Sequence, residues 1–173
     1  MRFAFFLLLT ITLFSCTDNK ARYPLNKKKE VFLNSSAQRN KALLAREEFM
    51  LKKAAKSDNT IRYQMSEIGF LYAYTKTVKK ELPLPKKGTQ VRFQYRIEDL
   101  NKNLLYNEKE LGIVNYAVDQ EDLLPALREG IRIMRPGEIV VFLFPSYLCY
   151  GYQGDGDKIG INQPLRFTIE RLP

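Results

Sequence analysis

The sequence predicts an α+β domain in its second half: an antiparallel sheet with one short helix against one face, preceded by a separate helix and a polar tether. Three observations predict it. Val91, Phe93, Tyr95 and Ile97 alternate with Arg92, Gln94 and Arg96, the period of a strand with one buried face. Leu165, Phe167 and Ile169 alternate with Arg166, Thr168 and Glu170 in the same way. Between them, Leu124, Leu127, Ile131 and Met134 share one face of a helix expected over Leu124–Met134. A sheet with a helix on one face is an α+β arrangement.

The elements follow in chain order. Met1 and Arg2 form a short positive start, and Phe3 to Phe14 is an apolar run of 12 residues broken only by Thr10 and Thr12. A bilayer span needs about 20 apolar residues, so this length fits the core of an export signal over residues 1–15. The run ends Leu13-Phe14-Ser15-Cys16, which resembles a bacterial lipobox with Cys16 as the lipidated residue. An ordinary cleaved signal with an incidental Cys is the other reading. Thr17, not Asp, follows Cys16. By the sorting rule of such lipoproteins this points to the cell envelope, at the periplasmic side of the outer membrane.

Residues 16–35 are polar and basic, with Lys27-Lys28-Lys29, and are expected to be an acylated flexible tether. The lysines are either solvated or drawn to anionic lipid head groups. Residues 36–60 carry a helix expected over Ser36–Lys56, capped by Ser35 or Ser36. Its apolar stripe includes Ala37, Leu43, Leu44, Phe49, Met50 and Ala54, and Glu47 and Glu48 face Lys52 and Lys53. The stripe is expected to dock on the later domain or on a partner, with dimerisation as the alternative. Residues 61–87 hold two leading strands, Ile61–Met65 and Gly69–Tyr74, and a linker. Within 88–173, Asn101-Lys102-Asn103 is a turn, Ile139–Phe144 is an apolar strand, and Pro136-Gly137 suits a type II turn.

Composition excludes several chemistries. The 173 residues contain no His and two Cys, so a Ser-His-Asp triad, a Cys-His dyad and a His-ligated metal are excluded. The net charge of +9 is uneven: residues 17–87 carry +10 and residues 88–173 carry −2. A nucleic-acid partner is therefore not expected of the later domain. With Cys16 lipidated, Cys149 is expected to be a lone buried thiol.

Gly88 to Leu172 resembles the FKBP-type peptidyl-prolyl cis-trans isomerase domain. The resemblance rests on Val91-x-Phe-x-Tyr95, Leu124-Pro-Ala-Leu127-x-Glu-Gly130, Met134-x-Pro-Gly137-Glu, Cys149-Tyr150-Gly151 and Leu165-x-Phe167. It implies an FKBP-like twisted antiparallel sheet wrapped on one short helix. The lipobox, the basic helix, Phe142-Leu-Phe-Pro-Ser146 and Tyr150-Gly-Tyr-Gln-Gly154 are similar to gliding-motility-associated FKBP-type lipoproteins of Bacteroidetes bacteria.

The resemblance also implies an activity. Rotation about a prolyl bond crosses a barrier of about 18–20 kcal/mol and takes tens to hundreds of seconds unaided. Catalysis needs no nucleophile, metal or cofactor. It needs a site that binds the twisted amide more tightly than either planar isomer. By resemblance the catalytic residues are Tyr95, Tyr106, Asn107, Tyr150 and Phe167, and the substrate-binding residues are Val114, Leu123, Leu124, Leu127 and Ile159. Leu124 would offer a backbone N–H to the substrate, and Tyr150 a hydroxyl. Read as residues alone, these side chains equally suit a small β core. Two positions depart from the family: Leu127 at the pocket floor, often Trp, and Asn107 where the family has Asp. Low turnover is therefore expected.

The implied function is a membrane-tethered isomerase acting on X-Pro segments of exported proteins, with motility-machinery proteins as further partners. The alternative is a non-catalytic binding or chaperone module on the same pocket.

Overall fold

The computed structural model describes residues 27–78 and 82–173, with side chains from Asn34 onward. The expected signal, Cys16 and the first part of the tether lie outside the described residues. Two compact units divide the chain, Met1–Ala37 and Gln38–Pro173. The described part of the first is helical.

Helix α1 runs Lys27–Ser57, so it starts nine residues before the expected Ser36. Ser35 and Ser36 lie inside it instead of capping it, and Lys27-Lys28-Lys29 are helical instead of tether. Its lysines, leucines and alanines are good helix formers, and two serines are too weak a stop. After it come β1 (Gln64–Met65), β2 (Leu71–Lys76), β3 (Gln90–Glu98) and β4 (Leu104–Tyr106). The short helix α2 (Glu108–Leu111), β5 (Val114–Ala117), helix α3 (Pro125–Arg132) and β6 (Ile139–Phe144) follow. A 3-10 turn at Ser146–Leu148 and strand β7 (Leu165–Arg171) complete the order. Among the described residues no helix is long and apolar enough to cross a membrane.

The strands form one antiparallel sheet in the order β1-β2-β6-β7-β3-β4, with β5 also on β3. The strand period of two sorts their side chains onto two faces. Phe93 and Ile97 of β3, Val140, Phe142 and Phe144 of β6, and Leu165, Phe167 and Ile169 of β7 all enter one buried core. Helix α3, shorter than the expected Leu124–Met134, closes that core with Leu127 and Ile131, and Met134 joins them from the turn just beyond it. The approach is close at Gly130, where a Cβ would lie 3.2 Å from both Ile169 Cδ1 and Phe142 Cζ. Pro125 occupies the first turn of α3, where its missing N–H is harmless. Gly137 has φ +85°, as the expected turn requires.

The opposite face is covered by α1. Leu51 is 2% exposed and clusters with Leu71 and Leu143, flanked by Ala54, Ala55 and Tyr63. This explains the unbroken apolar run of β6, since a strand covered on both faces needs no alternation. At the end of α1, Arg166 is held by Asp58 at 2.9 Å, Glu98 at 3.2 Å and the Tyr63 hydroxyl at 2.9 Å. One buried guanidinium thereby ties α1's exit to β3 and β7. The stripe expected on α1 is corrected at three positions: Ala37, Leu44 and Phe49 are exposed, Phe49 at 68%. Glu47 turns inward instead of facing a lysine. Glu48 does pair with Lys52, at 2.5 Å.

Candidate active site

Nine of the ten residues expected by resemblance, all but Asn107, form a wall: they come from six parts of the chain and meet in one apolar cluster. Phe167, Leu127 and Ile159 are buried and form its floor. Tyr95, Tyr106, Val114, Leu123, Leu124 and Tyr150 are half-buried and form its rim. The Tyr95 and Phe167 rings stack with centroids 5.9 Å apart and planes within 9°. Phe144 meets Phe167 edge-on at 5.5 Å. Antiparallel registry places the stack: Ile97 pairs with Phe167 and Tyr95 with Ile169, so Tyr95 and Phe167 are diagonal neighbours on one face.

Leu124 sits just before α3 in extended geometry (φ −48°, ψ 127°), and Pro125 takes the first helical position. Among the described residues no hydrogen bond is seen from the Leu124 N–H or from the Tyr150 hydroxyl. Two donors are therefore open on the rim. Burial pushes the Tyr150 phenol up to about 12, and burial likewise raises that of Tyr95. Both stay neutral donors across the physiological range.

Tyr150 is held by its own turn. The Ser146 carbonyl accepts the N–H of Cys149 and of Gly151, each at 2.9 Å. The amide and hydroxyl of Ser146 donate to Glu47 of α1, at 2.8 and 2.6 Å. Cys149 beside it is a free, buried thiol, and burial raises its pKa far above the ordinary thiol value. It packs as an apolar residue, as expected.

Asn107 lies beside this cluster, directly after Tyr106. It caps α2, its side-chain oxygen accepting the N–H groups of Lys109 and Glu110 at 2.9 Å each. Glu110 returns a bond from its carboxylate to the Asn107 N–H at 2.8 Å. This reciprocal box commits the Asn107 carbonyl to the helix end.

The acid on this rim is Asp155, which the sequence reading did not single out. It accepts the Tyr106 hydroxyl at 2.5 Å and the N–H groups of Asp157 and Ile159 at 2.9 and 2.8 Å. Burial would raise its pKa, but these three donors outweigh that and lower it. The bond to Asp155 in turn pushes the Tyr106 phenol up to about 12. Gly154 makes the tight turn possible: it has φ +69°, and a Cβ there would lie 2.4 Å from the Ile159 carbonyl oxygen. The alternation Gly154-Asp155-Gly156-Asp157 was a readable sign of an Asp-anchored turn.

The arrangement presents an aromatic-lined apolar floor, two open neutral donors and no nucleophile. Such a site removes a prolyl ring from water and contacts a carbonyl without taking part in covalent chemistry. No metal-holding cluster of His, Cys, Asp and Glu occurs among the described residues.

Comparison with known proteins agrees with this geometry. The family model of FKBP-type peptidyl-prolyl cis-trans isomerases matches residues 83–172. A probable FKBP-type peptidyl-prolyl cis-trans isomerase, FkpA, of Neisseria meningitidis serogroup B is 28% identical over 125 residues. That match covers 71% of this chain but 43% of the relative, so the chain spans less than half of that protein's length. The crystal structure of FkpA from Escherichia coli superimposes with a TM-score of 0.60 at 22% identity, covering 85% of this chain and 68% of that one. A peptidyl-prolyl cis-trans isomerase from Pseudomonas syringae pv. tomato superimposes with a TM-score of 0.60 at 19% identity, covering 77% and 93%. The two structures share the fold. With the family model matching more than half of its residues, the chain belongs to the FKBP-type peptidyl-prolyl cis-trans isomerase family.

Proposed function

We propose that the protein catalyses cis-trans isomerisation of X-Pro bonds in exported polypeptides. One observation carries the reading: the Tyr95–Phe167 stack, the Leu127 floor and the open donors of Leu124 and Tyr150 converge on one apolar rim. The prolyl ring would rest on Phe167 and Leu127. The Leu124 N–H would hold a substrate carbonyl, and the Tyr150 hydroxyl would meet a second. The surrounding aromatic edges would favour the amide that has lost its planarity.

The setting is part of the same proposal. The Leu13-Phe14-Ser15-Cys16 sequence supports a lipid on Cys16, and Thr17 supports the periplasmic side of the outer membrane. The gliding-motility lipoprotein resemblance supports work within a motility assembly. Palmitate labelling of the expressed chain, abolished by Cys16→Ser, tests the anchor.

The test of activity is prolyl exchange on X-Pro peptides with the full chain in detergent. Acceleration that falls several-fold on Tyr150→Phe supports the reading, and no acceleration from folded protein overturns it. A binding or chaperone module is the second reading. It is favoured by Asn107, an uncharged amide that stands where the family has an acid and is engaged in capping α2.

A further inference from the structure

A groove of about 660 Å³ runs between α1 and the loop that follows β6. Its volume lies in the range of about 300–1,000 Å³ typical of ligand sites. Leu43 and Leu44 of α1 form one wall, and Tyr147 and Tyr152 form the other. Tyr152 is 77% exposed, Tyr147 49% and Leu44 48%, so this apolar surface faces solvent. Asn40 and Gln153 add side-chain amides to the lining. Such amides can donate to and accept from a polypeptide main chain. The charged residue in the lining is Glu47, and both its oxygens are taken by Ser146.

The groove adjoins the prolyl site at Tyr150. Tyr150 lines the groove and also packs into the cluster that floors the site. We propose that the groove between α1 and residues 146–153 receives the uncharged, apolar stretch of client polypeptide flanking the prolyl bond. The occupant follows from the lining: a chain whose proline sits beside Tyr150 must leave past that residue. The surface it meets offers leucine, tyrosine and amide groups and no unpaired charge. One third of the lining, Asn40, Leu43, Leu44 and Glu47, comes from α1, which lies outside the matched residues 83–172. It would make the helix part of the substrate site, in addition to its role as a cover for the sheet. This rests on the isomerase reading of the adjoining site.

The test compares a tetrapeptide carrying the X-Pro bond with a dodecapeptide that extends it by uncharged apolar residues, using the full chain in detergent. The unaltered protein is expected to show KM about tenfold lower for the dodecapeptide, the scale of burying one large apolar side chain. Leu44→Asp, at a half-exposed position away from the prolyl pocket, should abolish that gain and leave tetrapeptide turnover unchanged. Leu44→Met should restore it. Anisotropy of the labelled dodecapeptide gives the same contrast without turnover. Equal KM for both peptides in the unaltered protein overturns the proposal, as does an equal loss on both in Leu44→Asp. A dimer dissociated by Leu44→Asp in sedimentation would give the groove to a second copy and also overturn it. Absent turnover with dodecapeptide binding that still depends on Leu44 would defeat the isomerase reading and uphold the groove.

Discussion

The carboxylate of Glu47 accepts two hydrogen bonds from one residue 99 positions away, the amide and the hydroxyl of Ser146. Glu47 is 2% exposed and Ser146 is equally buried. The carbonyl of Ser146 then holds the amides on both sides of Tyr150. A residue of the N-terminal helix thus sets the position of a rim donor.

Glu47→Ala should leave two buried donors unsatisfied and lower stability by about 1–3 kcal/mol. It should also lower kcat/KM, because the Tyr150 turn loosens. In the double variant with Tyr150→Phe the two losses should fall well short of adding, since both act through one hydroxyl. Denaturant unfolding and prolyl exchange on the four proteins check this. Full additivity would show that Glu47 acts elsewhere.

Tyr150→Phe alone keeps the ring and removes the donor. A neutral hydrogen bond of about 1 kcal/mol corresponds to a fall of about fivefold in kcat/KM, with stability unchanged. Phe167→Ala is different, because that ring is both floor and core. It should lower stability by about 3–5 kcal/mol as well as activity. Thermal unfolding beside the exchange assay separates the two effects.

Asn107→Asp should strengthen the α2 cap. Asp caps as well as Asn, and its charge suits a helix N-terminus by about 0.3–1 kcal/mol. Its oxygen is already committed to the Lys109 and Glu110 amides, so turnover should change little. A large gain in turnover would show that the charge acts on the substrate.

Acid should weaken the outer face of the sheet through Asp58. Burial acts to raise its pKa, but hydrogen bonds from Arg166, Thr60 and Lys102 hold it well below the usual carboxylate range. A depressed native value means that folding favours the ionised form. The stabilisation is complete above the unfolded value of about 3.9 and is lost as pH falls below it toward the native value. Urea midpoints should therefore drop as pH falls below about 4. Asp58→Asn should lower the neutral-pH midpoint and flatten that acid limb.

Leu51→Ala should cost about 2–5 kcal/mol, since Leu51 fills the contact with Leu71 and Leu143. An unchanged urea midpoint would show that α1 is not needed to cover the sheet.

The sheet was largely legible because strand alternation depends on a residue's immediate neighbours. β3 and β7 ran as their patterns required, and Pro125 and Gly137 marked their turns. The nine wall residues were legible only by resemblance, since Tyr95 and Phe167 would read equally as core. Glu47 was not legible: a glutamate five residues before a lysine looks like a solvated helix pair, and nothing local announces Ser146. Asp155 was hidden for a similar reason, as its partner Tyr106 lies 49 residues away. The early start of α1 was missed because a run of lysines looks like linker unless the helix beyond it is weighed too.

The pairing of β2 with β6 has a consequence for cutting the chain. Residues 83–172 contain β6 but not β2, which covers the open edge of β6 from Ile139 to Leu143. Excised there, the fragment would present Ile139-Val-Val-Phe-Leu-Phe144 with a row of unpaired backbone amides and no charge or proline to interrupt it. That is the signature of a strand that recruits its own copies into insoluble aggregates. The six residues of β2 thus act as a gatekeeper of solubility.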